Sequence, residues 1–212
     1  MKKFKGKLLT LEGPEGSGKS TQLALLYKHF KKKGRKVISF REPGSTETGE
    51  KIRRILLNDK DLKINFLSEM LLYQASRAQF VSQKLIPALK KGYLVLLDRF
   101  TDATLAYQGY GGGLDLKLIE KISKAVTREI EPDLTILLDI EPGKGLARVL
   151  KTNKKDRMEE KPLIFHKRMR KGYLLLARKK KRIKIIDASR GISETQAQIR
   201  EVILNAIKQR II

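Results

Sequence analysis

The segment that most constrains this chain is the glycine-rich stretch at residues 13–21, GPEGSGKST, which satisfies the pattern G-x-x-x-x-G-K-[ST]. Glycines let successive backbone N–H groups curl around an anion, and a helix that begins here points its N-terminus at the same anion. Lys19 would reach the β- and γ-phosphates of a nucleoside triphosphate, and the Ser20 hydroxyl would bind Mg²⁺. The predicted nucleotide-binding residues are Gly13, Pro14, Glu15, Gly16, Ser17, Gly18, Lys19, Ser20 and Thr21.

Apolar runs alternate with helical patterns along the rest of the chain, which has 212 residues and no internal repeat or low-complexity linker. This alternation indicates an α/β fold, in which a parallel sheet is covered by helices on both faces. We therefore predict a single domain over residues 1–212. The predicted strands are 7–12, 37–40, 93–97, 134–138 and 183–186, and the predicted helices are 18–33, 65–91, 115–128, 142–150 and 193–210, the last with Ser193 as its N-cap.

Polar residues follow several predicted strands, and the carboxyl ends of parallel strands form the binding edge of such a sheet. Glu15 and Lys19 follow the first strand, Arg41 follows the second, and Asp98 and Arg99 follow the third. Phosphoryl transfer depends mainly on positioning and charge neutralisation. A nucleoside monophosphate is already an anionic nucleophile that needs no catalytic base, so Arg41 and Arg99 would suit a clamp for a second phosphate group.

The composition is strongly basic, with 47 Lys and Arg against 23 Asp and Glu and a net charge of +24. This balance favours polyanionic partners. Aromatic residues are only 6% and form no stripe among the basic ones, so nucleic acid is not the expected partner. The absence of cysteine excludes disulfides and thiol catalysis. No apolar run is long enough for a membrane span, and the basic, then apolar N-terminus is interpreted as the first strand, so we expect a cytoplasmic protein.

Six segments in chain order resemble the thymidylate kinases: GPEGSGKST, FREPGST at 40–46, LLYQASRAQ at 71–79, DRFTDATLAYQG at 98–109, PDLTILLDIEPGKGLAR at 132–148 and DRME at 156–159. The resemblance implies the three-layer α/β fold of the P-loop kinases, with a five-stranded parallel sheet and a short basic lid at about residues 148–160. It also implies a homodimer that transfers the γ-phosphate of ATP to dTMP with Mg²⁺. Two alternatives stay open: a kinase for another nucleoside monophosphate or a deoxynucleoside, and a basic ATPase that binds nucleic acid.

The resemblance assigns three residues to the acceptor base and a fourth, Gln108, to the substrate site. Tyr73 matches the position whose ring stacks on thymine, and Arg77, on the same helical face, matches the arginine that donates to the thymine O4 oxygen. Thr104 matches a further base-contacting position, and Gln108 matches a family glutamine at the substrate site. Many relatives have an arginine where this chain has Gly112, so one acceptor contact is lost or supplied elsewhere.

The resemblance also assigns residues to the sugar, the phosphate group and the metal ion. Glu15 matches the acidic residue that contacts the acceptor 3′-OH, and Tyr107 matches the tyrosine that crowds a ribose 2′-OH. Arg41 and Arg99 match ligands of the acceptor phosphate. Asp98 matches the aspartate at a strand end that lies near Mg²⁺.

The lid is the expected source of a catalytic cation. The family divides by whether an arginine stands in the phosphate loop or in the lid, and residues 14–17 contain none. We expect Arg148 or Lys151 to approach the transferring phosphoryl group and Arg157 to close over ATP. The full set of expected catalytic residues is Lys19, Arg99, Arg148, Lys151 and Arg157.

Overall fold

The computed structural model describes residues 4–59, 62–151 and 156–212, and at its centre is a five-stranded parallel sheet of order β2-β3-β1-β4-β5. The strands are β1 (Lys7–Glu12), β2 (Val37–Arg41), β3 (Leu94–Asp98), β4 (Leu134–Asp139) and β5 (Ile183–Asp187). The predicted parallel sheet is confirmed, and each predicted strand agrees with the observed one to within one residue at either end. None of the described helices is long and apolar enough to cross a membrane.

Helices cover both faces of the sheet because strand side chains alternate between the faces with a period of two. On one face, Leu9 and Leu11 of β1 pack with α1 (Lys19–Lys32) and α9 (Ile192–Lys208). On the other face, Leu8 packs with the long helix described next. The result is the three-layer arrangement implied by the alternating sequence pattern.

The predicted helix at 65–91 is three successive segments in the structure. These are α3 (Phe66–Phe80), a π-helical turn (Val81–Leu85) and α4 (Ile86–Lys90). Pro87 lies in the first turn of α4 and has no N–H to donate, so the wider turn before it accommodates the break in the hydrogen-bond ladder. Ser193 is not the N-cap of the last helix, because that helix begins at Ile192 and Ser193 already lies inside its first turn.

Three helical regions escape the sequence analysis. They are α2 (Glu47–Leu57), α5 (Thr101–Thr104) with a π-helical continuation (Leu105–Gly111), and α8 (Leu163–Lys179); α6 (Leu116–Thr127) and α7 (Pro142–Leu150) are predicted. In α8 the buried Phe165, Met169 and Tyr173 recur every four residues, a helical signal hidden among many basic residues. In α2, the Thr46 side chain caps the helix by accepting a bond from the Gly49 N–H.

The parallel register brings the functional strand ends to one edge of the sheet. Arg41 of β2 pairs with Asp98 of β3, and Asp98 also pairs with Leu11 of β1. The phosphate loop follows β1 directly, so the loop, Arg41 and Asp98 become neighbours although they are far apart in sequence. This edge is where a ligand site is expected in an open parallel sheet.

Candidate active site

A cavity of about 460 Å³ opens at this edge, between the phosphate loop and α3. It brings together many of the sequence-predicted site residues, while Arg148, Lys151 and Arg157 lie outside its lining. The predicted residues that line it are Glu15, Gly16, Gly18, Lys19, Ser20, Thr21, Arg41, Tyr73, Arg77, Asp98, Arg99, Thr104, Tyr107 and Gln108.

The phosphate loop requires glycine where it approaches neighbouring backbone. Gly16 has a φ of 66°, and a Cβ on it would overlap the carbonyl oxygen of Gly145 in α7. Gly13 has a φ of 145°, and a Cβ on it would overlap the carbonyl oxygen of Leu138. A side chain at either position would strain the backbone and push the loop outward, so the tight curl of the loop depends on these two glycines.

Lys19 is folded back into the loop. Its Nζ donates to the carbonyl oxygens of Gly13 (3.1 Å) and Pro14 (2.7 Å) and to the Ser17 Oγ (3.3 Å). Burial and the nearby charge of Arg99 lower the pKa of Lys19 to about 8. An anionic phosphate bound beside this ammonium would favour its charged form, so the site is electrostatically suited to a polyphosphate.

Ser20 and Asp98 form the predicted metal-binding pair. The Ser20 Oγ donates to the Asp98 Oδ2 at 2.9 Å, and the buried Asp98 Oδ1 has no hydrogen-bond partner among the described residues. Hydroxyl and carboxylate oxygens are hard ligands of the kind that Mg²⁺ prefers. The two residues therefore fit a Mg²⁺ ion that also binds phosphate oxygens and water, and each oxygen could serve directly or through a water molecule.

Two arginines meet at the mouth of the cavity, and one of them was missed by the sequence analysis. The Arg41 Nη2 donates to both carboxylate oxygens of Glu50, at 3.0 and 2.9 Å. Arg53 of α2 also lines the cavity, and its Nη1 donates to the Pro43 carbonyl oxygen at 2.9 Å. Burial and the charge of Arg41 lower the pKa of Arg53. Both guanidinium groups line the cavity, so this end of it carries positive charge that suits an anionic group of a ligand.

Arg99 reaches from the end of β3 toward the loop. Its Nη1 donates to the Gly13 carbonyl oxygen (3.1 Å) and the Tyr173 hydroxyl (3.3 Å), and its Nη2 lies 3.4 Å from the Glu15 Oε1. The guanidinium also lies over the Tyr107 ring, 4.8 Å from the ring centroid. Arg99 is thereby held between the donor loop and the acceptor side of the cavity.

Glu15 is a buried carboxylate at the junction of these two sides. The Tyr107 hydroxyl donates to its Oε1, and the His166 Nδ1 lies 3.3 Å from its Oε2. Burial alone would raise the pKa of Glu15, but the His166 contact and the charges of Arg99 and Lys19 outweigh it and lower the pKa to about 2. Glu15 is therefore ionised throughout the physiological range.

Glu12, at the end of β1, is linked to Arg99 through the Tyr173 hydroxyl. It accepts bonds from the Phe100 N–H at 2.7 Å and from the Tyr173 hydroxyl at 2.8 Å, and Tyr173 in turn accepts from Arg99. Burial and the charge of Asp102 raise the pKa of Glu12 to about 7. The sequence offers no signal for this role, because Glu12 reads simply as the polar end of a strand.

Arg77 forms the polar floor of the cavity. Its Nε donates to the Glu42 Oε2 at 2.6 Å, and its Nη1 donates to the Gln74 Oε1 (3.2 Å) and the Thr104 Oγ1 (2.9 Å). Its Nη2 donates to the Phe100 carbonyl oxygen at 3.0 Å. Four of the five N–H groups of the guanidinium are thus used within the protein, and one on Nη2 is left for a ligand.

Arg157 does not extend over the phosphate loop, contrary to the expectation that it closes over ATP. Its Nη2 donates to the Glu69 Oε2 at 2.5 Å and its Nε to the Leu56 carbonyl oxygen at 2.8 Å, and its side chain is only 9% exposed. The other oxygen of Glu69 accepts from the Gln108 Nε2 at 2.9 Å. The physical reason is the fully buried Glu69 carboxylate, which needs a cation, and Arg157 supplies it.

The other two lid cations differ in their surroundings. The Arg148 Nη1 donates to the carbonyl oxygens of Ala188 (2.9 Å) and Gly16 (3.3 Å), and its Nη2 donates to that of Ser189 (3.1 Å). Arg148 therefore borders the phosphate loop. Lys151 is the exposed C-cap of α7, and residues 152–155 of the expected lid lie outside the described residues.

The departure at Gly112 has a steric cause in this chain. A Cβ at Gly112 would lie 2.6 Å from the Phe66 ring and 2.8 Å from the Gln108 carbonyl oxygen. Phe66 stacks on Phe165, with ring centroids 6.1 Å apart and an interplanar angle of 10°. The aromatic pair occupies the space that a side chain at residue 112 would need. Arg53, which the sequence analysis did not count, is another cation that lines the acceptor side of the cavity.

Comparison with known proteins gives one consistent family. The family model for thymidylate kinase matches residues 11–199. A thymidylate kinase from Deinococcus radiodurans is 46% identical over 195 residues, which cover 92% of this chain and 94% of that protein. One from Citrifermentans bemidjiense is 43% identical and covers 97% of this chain and 93% of its own length. The crystal structure of thymidylate kinase from Ehrlichia chaffeensis superimposes with a TM-score of 0.78 at 30% identity, covering 94% of this chain and 98% of that one.

Proposed function

Because the chain belongs to the thymidylate kinase family, we propose that its cavity holds dTMP beside ATP and transfers the γ-phosphate to give ADP and dTDP. The proposal rests on the set of residues that line one cavity. It combines a phosphate-binding loop, an anion site at Arg41 and Arg53, and a buried arginine with one N–H to spare. A nucleoside monophosphate has a phosphate for the anion site and a base for the arginine.

The loop and Lys19 bind the donor phosphates. Ser20 and Asp98 would hold Mg²⁺, which would neutralise negative charge on the phosphates. Arg99 neutralises charge between donor and acceptor, because its contacts keep it beside both the loop and Glu15. The acceptor phosphate lies against Arg41 and Arg53. No catalytic base is assigned, since the acceptor oxygen is already anionic.

The base is selected by hydrogen bonds at the cavity floor. The remaining Nη2–H of Arg77 donates to the thymine O4 oxygen, Tyr73 packs on the ring, and the Thr104 hydroxyl contacts the base edge. Because the Gln108 amide nitrogen already donates to Glu69, the amide oxygen is directed to accept from the thymine N3–H. Cytosine reverses both groups, with an amino group at position 4 and an unprotonated N3, so it loses both bonds.

The sugar lies between Glu15 and Tyr107. The ionised Glu15 accepts a bond from the 3′-OH, and the buried Tyr107 ring occupies the space beside C2′, which excludes a ribose. Tyr107 donates its hydroxyl to Glu15, so the two groups hold each other in place. The pair thereby selects a deoxynucleotide with a free 3′-OH.

The first test measures ADP release from ATP with dTMP, dUMP, dCMP, dGMP, UMP and AMP offered separately. We expect dTMP to be the best acceptor. For dUMP the loss is one methyl group, worth about 0.8 kcal/mol or roughly fourfold in kcat/KM. For dCMP the charged hydrogen bond from Arg77 alone is worth about 1.5–3 kcal/mol, so we expect a loss of at least ten- to a hundredfold. Equal rates with dTMP and dCMP would contradict the assignment of Arg77, and a preference for another base would contradict the proposed function.

The protein is further proposed to act as a cytoplasmic homodimer. Leu67 and Leu71 of α3 and Leu118 of α6 are between 40% and 47% exposed, and α3 packs against α6, so these leucines offer an apolar surface to a second copy. Residues 7–12 form the central strand β1, which supports the interpretation of the apolar N-terminal stretch as part of the fold. Sedimentation velocity tests the dimer, and a species of 24.2 kDa at micromolar concentration would contradict it.

A further inference from the structure

His166 is a buried histidine at the active site that the sequence analysis did not use. It lies in the first turn of α8, and its side chain is only 1% exposed. Its ring nitrogens face two different groups: the Nε2 lies 3.1 Å from the Lys161 carbonyl oxygen, and the Nδ1 lies 3.3 Å from the Glu15 Oε2. Among the described residues, neither the Nδ1 nor the Oε2 has a hydrogen-bond partner, although the two buried atoms face each other at 3.3 Å.

The proton on the Nε2 follows from its partner. A backbone carbonyl oxygen can only accept, so the Nε2 carries a hydrogen. In a neutral imidazole the other nitrogen, Nδ1, would then be an acceptor with its lone pair directed at a carboxylate oxygen. Two buried acceptors facing each other would both be unsatisfied, and each would be costly. One proton between the Nδ1 and the Oε2 removes this conflict.

That proton belongs on the imidazole. Glu15 already accepts from the Tyr107 hydroxyl and lies near Arg99 and Lys19, all of which favour the carboxylate over the carboxylic acid. Arg99 and Lys19 oppose a positive charge on the imidazole ring, whereas the Glu15 carboxylate that the ring contacts favours it. Other charged groups also lie near: the Lys161 ammonium lies over the Phe165 ring, 5.9 Å from the centroid, and Asp156 and Glu159 line the same cavity as Glu15. Glu159 interacts electrostatically with both Glu15 and Arg99.

We infer that His166 is held as an imidazolium and is the positioning residue that orients the Glu15 carboxylate toward the 3′-OH of the acceptor. The inference rests on the proposed function for the role of Glu15, whereas the charge of His166 follows from the protein alone. With Tyr107 on one oxygen and His166 on the other, the carboxylate is fixed at both ends. Loss of the His166 proton would leave Glu15 held only at its Oε1, by Tyr107 and Arg99, with the Oε2 no longer fixed.

The charge is tested without substrate. The chain has only two histidines, His29 and His166, so a protein labelled with ¹⁵N-histidine gives two resolvable sets of ring signals, and the variant His29→Gln assigns them. At neutral pH we expect both ring nitrogens of His166 to show the shifts of protonated nitrogens. A His166 signal from one unprotonated nitrogen would overturn the inference, whatever the enzyme phosphorylates.

The positioning role is tested by comparing dTMP with its 3′-deoxy analogue. The wild-type protein should prefer dTMP by about tenfold or more in kcat/KM, the effect of one hydrogen bond to a charged group. His166→Leu removes the donor and should bring this preference below about threefold, whereas His166→Asn places an amide donor near the former Nδ1 and should restore part of it. His29→Gln, at a half-buried position in α1 that does not line the cavity, serves as the matched control.

Two results would overturn the positioning role. One is a folded His166→Leu protein that keeps the wild-type preference for dTMP over the 3′-deoxy analogue. The other is an equal loss of preference in His166→Leu and His166→Asn, which would point to ring packing rather than to hydrogen bonding. A wild-type protein that phosphorylates neither nucleotide would contradict the proposed function and would leave the result from ¹⁵N labelling standing as the test of the charge.

Discussion

Replacement of Arg148 by alanine is expected to lower turnover by about 10²–10³-fold, the typical cost of one preorganised charge at a transferring group. No arginine stands in residues 14–17 of the phosphate loop, and the resemblance to the family then implies a catalytic cation in the lid. Arg148 already donates to the Gly16 carbonyl oxygen and borders the loop. Because Arg148 does not line the acceptor cavity, the KM for dTMP should change little.

Steady-state kinetics of Arg148→Ala measure this effect, and two further variants complete the design. Lys151→Ala tests the other lid cation, which is exposed at the end of α7. Arg178→Ala removes an exposed arginine near the end of α8 and should leave turnover unchanged. If the variants at Arg148 and Lys151 both retained wild-type turnover, the proposal that the lid supplies the catalytic cation would be wrong.

Replacement of Arg157 by alanine is expected to lower the free energy of unfolding by about 3–5 kcal/mol. The reason is not the loss of the ion pair itself but the Glu69 carboxylate that remains, fully buried and without its cation. Gln108 would still donate one bond to Glu69, which is not enough to compensate a buried charge. This outcome contrasts with a lid residue that acts only on ATP, whose removal would leave stability intact.

Urea unfolding of the ligand-free protein gives the measurement, with Lys51→Ala as the control. Lys51 forms an ion pair with Glu47 at 3.0 Å, but both side chains are largely exposed. Its removal should therefore cost less than about 1 kcal/mol. A loss below this value for Arg157→Ala as well would show that Arg157 is not the structural partner of Glu69 in solution, and its role over ATP would have to be reconsidered.

The fold was largely predictable because its strands are short and apolar and alternate with helical patterns along the chain. The phosphate loop marks the end of β1, and the polar residues after β2 and β3 mark the binding edge. The missed helices had weaker signals: the π-helical continuation of α5 contains Gly109 and Gly111, and the apolar residues of α8 are spaced among many basic ones. Only tertiary packing shows that α8 carries a buried face against the sheet and the π-helical segment.

The candidate site was predictable only where a residue could be matched to a family motif. Arg77 is such a residue, but its partner Glu42 and the count of its free N–H groups depend on side chains from several elements. Arg157 shows the opposite case, because a basic residue in a lid segment looks the same in sequence whether it is exposed or buried against Glu69. Arg53 and His166 come close to the cavity only because α2 and α8 fold over it, and neither helix was predicted.

The central claim is that the γ-phosphate of ATP goes to a nucleotide held in this cavity. The most direct test incubates the protein with γ-³²P-labelled ATP, Mg²⁺ and dTMP and separates the products. The label is expected in dTDP, with one ADP formed for each dTDP and no release of label in the absence of dTMP. Label released as inorganic phosphate at the same rate without dTMP, or stimulated by DNA, would contradict it and favour a nucleic-acid-binding ATPase.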